Sequence, residues 1–214
     1  MVFLEHENQP FPPVSSSDNS GLLAVGGSLS SHRLLLAYNQ GIFPWYSDGQ
    51  PVLWYCPDPR MVLFPNDLKV SKSMRKIIRS QTFQISENKA FAQVIAKCAT
   101  VPRPEQDGTW ITDEMIIAYT HLHQLGYAKS VEVWQNNELV GGLYGVDLPE
   151  KRIFCGESMF STVSNASKLA FIHLVRTVLA KGYKFVDCQM YTDHLASLGA
   201  NEIPRNDFIR QLHS

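Results

Sequence analysis

The segment Ser130–Val146, SVEVWQNNELVGGLYGV, constrains the chain more than any other. Its residues alternate on both sides of Asn136–Asn137, which predicts a β-hairpin turning on that pair. A third strand is expected at 152–160. An amphipathic helix should then run from Asn165 to Lys181, closed by Gly182, before a short strand in KFVDCQM. Strands, then helix, then strand imply a mixed sheet with helices packed on it, an α+β class. Residues 71–80 and 88–99 read as helices, the second with Phe91, Val94, Ile95 and Cys98 on one face. In TDEMIIAYTHLHQLG, Thr112 is a good N-cap, Asp113 and Glu114 suit the first turn, and Gly126 follows the last.

The first third is organised differently. Residues 8–20 are rich in Pro, Ser and Asn and read as an irregular lead-in. SSHRLLLAYNQG predicts a short helix with Ser30 or Ser31 as N-cap, Leu34, Leu35 and Tyr38 inward, and Gly41 at the stop. From Gly41 to Pro65, prolines and aromatics predict a looped segment with two short strands. A boundary near 62–68 divides the chain into a small N-terminal α/β domain, 1–64, and a larger domain, 65–214.

Composition narrows the function classes. The chain has 214 residues, 44% of them hydrophobic and 18% charged, the balance of a soluble globular protein. Its apolar runs are too short to span a bilayer, and its N-terminus lacks a basic start followed by an apolar signal core, so neither membrane nor export is expected. Cys56, Cys98, Cys155 and Cys188 form no C-x-x-C pair, which favours free thiols in a reducing cytoplasm. The histidines form no H-E-x-x-H motif, and AVGGSLS lacks a P-loop lysine, so no metal and no nucleotide cofactor is expected.

Three constellations carry chemistry. In FCGESMFS a single carboxylate, Glu157, lies in an apolar or small-residue run, and a buried unpaired carboxylate costs several kcal/mol or loses its charge. Strict alternation groups Glu157 with Met159 and Ser161, opposite Phe154, Ser158 and Phe160. It also puts Asp187 and Gln189 on one face, about 7 Å apart. If these strands are neighbours, two carboxylates and an amide converge. Equally, Asp187 could cap the following segment and Glu157 could pair with Lys168 or Arg205. The second constellation is basic: Lys69, Lys72, Arg75, Lys76 and Arg79 recur on one helical face with no acid between Asp67 and Glu87, opposite Val70, Met74, Ile77 and Ile78. Such a stripe suits a polyphosphate backbone, and otherwise is a solvated face. The third is aromatic: Trp45, Tyr46, Trp54, Tyr55 and Trp110 sit in or near loops, where rings either stack on bases or fill core. Cys155 and Cys188 alternate away from the carboxylates and read as packing thiols.

The blocks GLLAVGGSLS, LLLAYNQGIFPWY, WYCPDPRMVLFP, TWIT, LVGGLYGV, FCGESMFS and DCQM, spread from Gly21 to Phe208, resemble the leucyl/phenylalanyl-tRNA–protein transferase family. The resemblance implies a C-terminal domain related to the GNAT acyltransferases. It implies transfer of Leu or Phe, and less well Met, from aminoacyl-tRNA to the N-terminal Arg or Lys of a protein, marking that protein for N-end rule degradation. Matched position by position, Asp187 and Gln189 engage the attacking amine and Glu157 faces the cationic acceptor. Trp45 and Trp110 match aromatics at the tRNA 3′ adenosine, with Tyr38 and Tyr119 nearby. Leu143, Phe154 and Met159 match the donor side-chain pocket, and Lys72, Arg75, Lys76 and Arg79 the acceptor-stem cluster. Leu143 stands where the family often has Met, Cys56 where it often has Ser, and Ser28 where it often has Asp. Leu-tRNA, Phe-tRNA and the acceptor protein are the implied partners of a monomer.

Since an aminoacyl ester is already activated, the reaction needs no ATP and no metal. Asp187 is expected to orient the amine and take its proton, Gln189 to supply a neighbouring hydrogen bond. An acyl-CoA-dependent acyltransferase and a non-catalytic RNA-binding module are the competing readings. STVSNASK, before the long helix, is not a pyrophosphate-binding loop of the R/Q-x-x-G-x-G/A type.

Overall fold

The computed structural model describes residues 2–101 and 109–214. Its first part is a small sheet built from β1 (Val2–Leu4), β2 (Leu22–Gly26), β3 (Phe43–Pro44) and β4 (Leu53–Tyr55), in the order β1-β2-β4-β3. The helix α1 (Ser31–Tyr38) lies between β2 and β3 in sequence and starts at Ser30, whose hydroxyl accepts the Arg33 N–H. Leu34, Ala37 and Tyr38 are its buried apolar face.

The larger sheet has seven strands. They are β5 (Arg60–Leu63), β6 (Gln84–Glu87), β7 (Ala128–Gln135), β8 (Glu138–Leu148), β9 (Ile153–Ser161), β10 (Phe185–Gln189) and β11 (Asn201–Ile203), in the order β11-β5-β10-β9-β8-β7-β6. All neighbours are antiparallel except β9 and β10, which run parallel. Residues 60–63, on the N-terminal side of the 64/65 division read from the sequence, thus pair with strands of the C-terminal half. The predicted hairpin is present, and Asn136 and Asn137 at its tip take φ of 50° and 65°.

Helices cover both faces. α2 (Lys72–Ser80) and α5 (Ala166–Ala180) pack with Val131, Val133, Leu143, Phe154 and Val186 in one apolar cluster. α3 (Phe91–Thr100) and α4 (Asp113–Gln124) lie on the other face, in a larger cluster that also takes in Tyr144, Cys155, Phe160 and the small sheet's Leu23 and Trp54; this larger one is the first cluster and the α2–α5 one the second. The start of α5 comes so close to β8 that a Cβ on Gly141 would lie 2.5 Å from Ala166 Cβ. Two short helices, α6 (Asp193–Ser197) and α7 (Arg205–His213), complete the chain, and α7 folds back to bury Phe208 and Leu212 in the first cluster.

Caps explain most helix starts. Thr112 accepts the Met115 N–H and Ser71 the Met74 N–H. Ala90 has no side chain to cap α3, and the duty passes to Glu132 of β7, whose fully buried carboxylate accepts the Lys89 and Ala90 N–H groups and the Ser130 hydroxyl.

Candidate active site

The parallel pairing of β9 with β10 ends at Cys155 and Asp187, and β9 then continues to Ser161 paired with β8 only. The site lies in the fork between them. On its other edge β9 is bulged against β8: Tyr144 faces Ser158 and Gly145 faces Gly156, so Glu157 is the extra residue. A bulge re-aims the side chain it carries. A Cβ at Gly145 would lie 2.2 Å from the Cys155 carbonyl oxygen and 2.5 Å from the Phe154 ring, so glycine is needed beside the bulge. β10 is also bulged, against β5, between Asp187 and Gln189, and Gln189 takes φ of 57°.

These irregularities correct the strict alternation read from the sequence. Glu157 does not share a face with Met159: its carboxylate reaches Tyr119 in the first cluster, while Met159 packs with the second. Glu157 accepts hydrogen bonds from the Tyr119 hydroxyl (3.2 Å) and from Gln189 Nε2 (3.4 Å), and Tyr119 is bonded in turn to Tyr38. Its partners are therefore not Lys168 or Arg205. Glu157 keeps partial contact with solvent although protein encloses its carboxyl. Burial pushes that carboxyl up to about 8, Asp187 pushes the same way, and the Tyr38 and Tyr119 hydroxyls partly offset both. Burial also raises Tyr38 and Tyr119 well above the phenol range, so both stay neutral donors.

Asp187 is placed otherwise than the sequence suggested. It is 1% exposed, and both of its oxygens are taken by Arg60, with Nε at 2.8 Å from Oδ1 and Nη2 at 2.7 Å from Oδ2. Oδ1 also accepts the backbone N–H of Gln189 at 3.1 Å. The carboxylate is thus an anchor inside the protein with no open face for an amine. Arg60 escaped the sequence reading; the signal available was a lone arginine in the otherwise uncharged run RMVLF, at the start of a buried strand. Its guanidinium lies over the rings of Phe43 (4.8 Å) and Phe208 (4.5 Å).

Leu143 and Met159 are cross-strand partners, and with Phe154 they share the second cluster beneath α5. Trp45 and Trp110 are partly exposed and flank a contact between their segments, where the Tyr46 hydroxyl meets Thr112 and Glu114, both at 3.4 Å. Trp54 and Tyr46 are core residues and not exposed rings: Trp54 is fully buried, donates to the Gly26 carbonyl and meets the Phe11 ring edge-on. Tyr38 and Tyr119 are equally buried and reach the site only through their hydroxyls. Lys72, Arg75, Lys76 and Arg79 are exposed along α2, with Met74 buried beneath, and among the described residues none of the four is in an ion pair. All four cysteines are free and buried, and burial raises the thiols of Cys56, Cys155 and Cys188, so none of these three is activated.

The arrangement suits acyl transfer to an amine: an enclosed carboxylate and amide at a strand fork, an apolar cluster beside them, and a detached basic helix. Comparison with known proteins gives the class. The family model described as leucyl/phenylalanyl-tRNA protein transferase matches residues 62–213, and that for the N-terminal domain of the same transferase matches 27–58. A leucyl/phenylalanyl-tRNA–protein transferase of Flavobacterium johnsoniae is 56% identical over 95% of this chain and 95% of its own length. One from Christiangramia forsetii is 54% identical over 99% of this chain and 100% of its own. Among solved structures, a GCN5-related N-acetyltransferase from Kribbella flavida is similar at a TM-score of 0.41 and 8% identity, covering 80% of this chain and 59% of its own. The chain belongs to the leucyl/phenylalanyl-tRNA–protein transferase family. It is an aminoacyltransferase with a small N-terminal domain and a mixed sheet flanked by helices. No helix of the described residues is long and apolar enough to cross a membrane.

Proposed function

We propose that the protein transfers Leu or Phe, and less well Met, from aminoacyl-tRNA to the N-terminal Arg or Lys of acceptor proteins, acting as a monomer in the cytoplasm and marking its targets for N-end rule degradation. The observation that carries the site assignment is the Glu157–Gln189 pair in the β9–β10 fork, with Asp187 closed off behind it.

With its Nε2 donating to Glu157, Gln189 has its carbonyl Oε1 left as an acceptor for the incoming amine. An α-amine has a pKa of about 7.7–8.0, so a usable fraction is neutral near pH 7. The amine attacks the ester carbonyl, the C–N bond forms and the C–O bond to the ribose breaks. The proton lost by nitrogen ends on the ribose oxygen, directly or through water. Glu157, on the open side of the pair, attracts the cationic acceptor side chain, and the acceptor's own charge favours its ionised form. Leu143, Phe154 and Met159 line the donor side-chain pocket, whose apolar character separates Leu, Phe and Met by only about 1–3 kcal/mol per methylene-sized difference. Trp45 and Trp110 stack on the 3′-terminal adenosine, and Lys72, Arg75, Lys76 and Arg79 hold the acceptor stem.

The test is direct. The protein is incubated with Leu-tRNA and peptides beginning with Arg, Lys or Ala, and the products are weighed. Addition of one leucine to the Arg and Lys peptides alone is expected. Addition to the Ala peptide as well would overturn the acceptor assignment, and acetyl transfer from acetyl-CoA would favour the acyl-CoA reading.

A further inference from the structure

Arg60 is the largest polar investment near the site that the proposed reaction does not use. It is 1% exposed, its Nη1 has no hydrogen-bond partner among the described residues, and it spans three parts of the chain. One of its rings, Phe43, comes from β3 of the small sheet; the other, Phe208, comes from α7; its carboxylate partner, Asp187, comes from β10. A bidentate arginine–carboxylate fork fixes the plane of the carboxylate as well as its position, which a lysine cannot do. Two aromatic faces contact the guanidinium.

The position of that carboxylate matters because of what else it holds. Asp187 Oδ1 accepts the N–H of Gln189, a residue whose φ of 57° lies in the left-handed region that a non-glycine side chain enters at a cost. From there the Gln189 amide reaches Glu157. The contacts form an unbroken series from the two rings through Arg60 and Asp187 to the Gln189–Glu157 pair.

We propose that Arg60 is a positioning residue for aminoacyl transfer: by locking Asp187 it holds the Gln189 main chain in its left-handed turn and so aims the Gln189 amide at the amine and at Glu157. This rests on the reading of Gln189 and Glu157 as the amine-facing groups. Arg60 touches neither substrate. Its action is through Asp187 alone, which distinguishes it from a residue that merely fills the core.

The test compares single-turnover transfer to an Arg-peptide at saturating Leu-tRNA for the full-length protein, Arg60→Lys, Asp187→Asn and the double variant, with melting temperature and tRNA KM measured alongside. Arg60→Lys is expected to slow transfer by about 10–100-fold, the cost of a displaced reacting group, with tRNA KM changed by no more than about twofold. In the Asp187→Asn background the same change should cost no more than about twofold. Arg60→Ala leaves a space against the two rings, and ethylguanidinium is expected to restore its rate in a saturable manner; a protein that had only lost packing would show no such rescue. A wild-type rate for Arg60→Lys, or rate losses that multiply in the double variant, would overturn the proposal. An unaltered rate for Asp187→Asn would overturn it as well, whereas an unaltered rate for Gln189→Ala would sink the site reading on which it rests. If both Arg60 variants unfold, Phe208→Leu decides: it keeps the ion pair and removes one ring, and a folded Phe208→Leu protein with the wild-type rate overturns the proposal, whereas a slowed one supports it.

Discussion

Glu157 is the residue whose chemistry depends most on its surroundings. Its carboxyl rises from an ordinary 4.5 to about 8, with burial the leading cause. The folded protein therefore holds a proton that the unfolded chain releases. The resulting stability is fully present below about pH 4.5 and is lost as pH rises through about 8. After allowance for the open edge of the side chain, the loss is about 1–2 kcal/mol. Thermal unfolding at pH 6 and pH 9 should show it, and Glu157→Gln should flatten the difference. The same titration predicts that KM for an Arg-peptide falls as pH rises toward 8, and that Glu157→Gln removes this dependence. Tyr119→Phe deletes a donor to Glu157, so it should move the acceptor-KM profile to higher pH and cost about 1–2 kcal/mol of stability.

Among the elements, α2 offers the cleanest separation of function from stability. Its apolar side is seated by Met74, Ile77 and Ile78, while Lys72, Arg75, Lys76 and Arg79 face solvent. Changing those four to Gln should raise the tRNA KM and lower the slope of log affinity against log salt by about 3, with melting little altered. An unchanged slope would return the stripe to a solvated face. Ser71→Ala, by contrast, removes the cap of the same helix and should cost about 1 kcal/mol with the salt slope intact. This helix was legible in the sequence because its period is regular and its cap is local. So were α4, α5 and the β7–β8 hairpin. β6, β11, α6 and α7 were not, since they are short and are held in place by partners distant in sequence. The site was legible only in its residue types. Glu157, Asp187 and Gln189 stand out as candidates by type, but two bulges turn their side chains away from the alternation that would have oriented them. Arg60 could not be assigned because its partner lies 127 residues away.

At the scale of the whole molecule, the two sheets share one apolar cluster, from Leu4 and Trp54 of the small sheet to Phe185 of the large one and Phe208 of α7. Calorimetry should accordingly give a single unfolding transition; two resolved peaks would show that the N-terminal part melts alone. Contacts that close long loops reinforce the union. Arg205 donates to the Cys56 carbonyl across 149 residues, and Lys184 donates to the Gln211 and Ser214 carbonyls, tying α7 to the body of the protein. The pocket around Arg60 has a consequence for how the enzyme comes into being. Its walls are supplied by residues 43, 187 and 208, so a nascent chain cannot complete that pocket until α7 has left the ribosome. Such late, long-range closure is slow compared with local folding. An enzyme that draws on charged tRNA, the currency of translation itself, therefore acquires its finished site only once residue 208 of its own chain has been made.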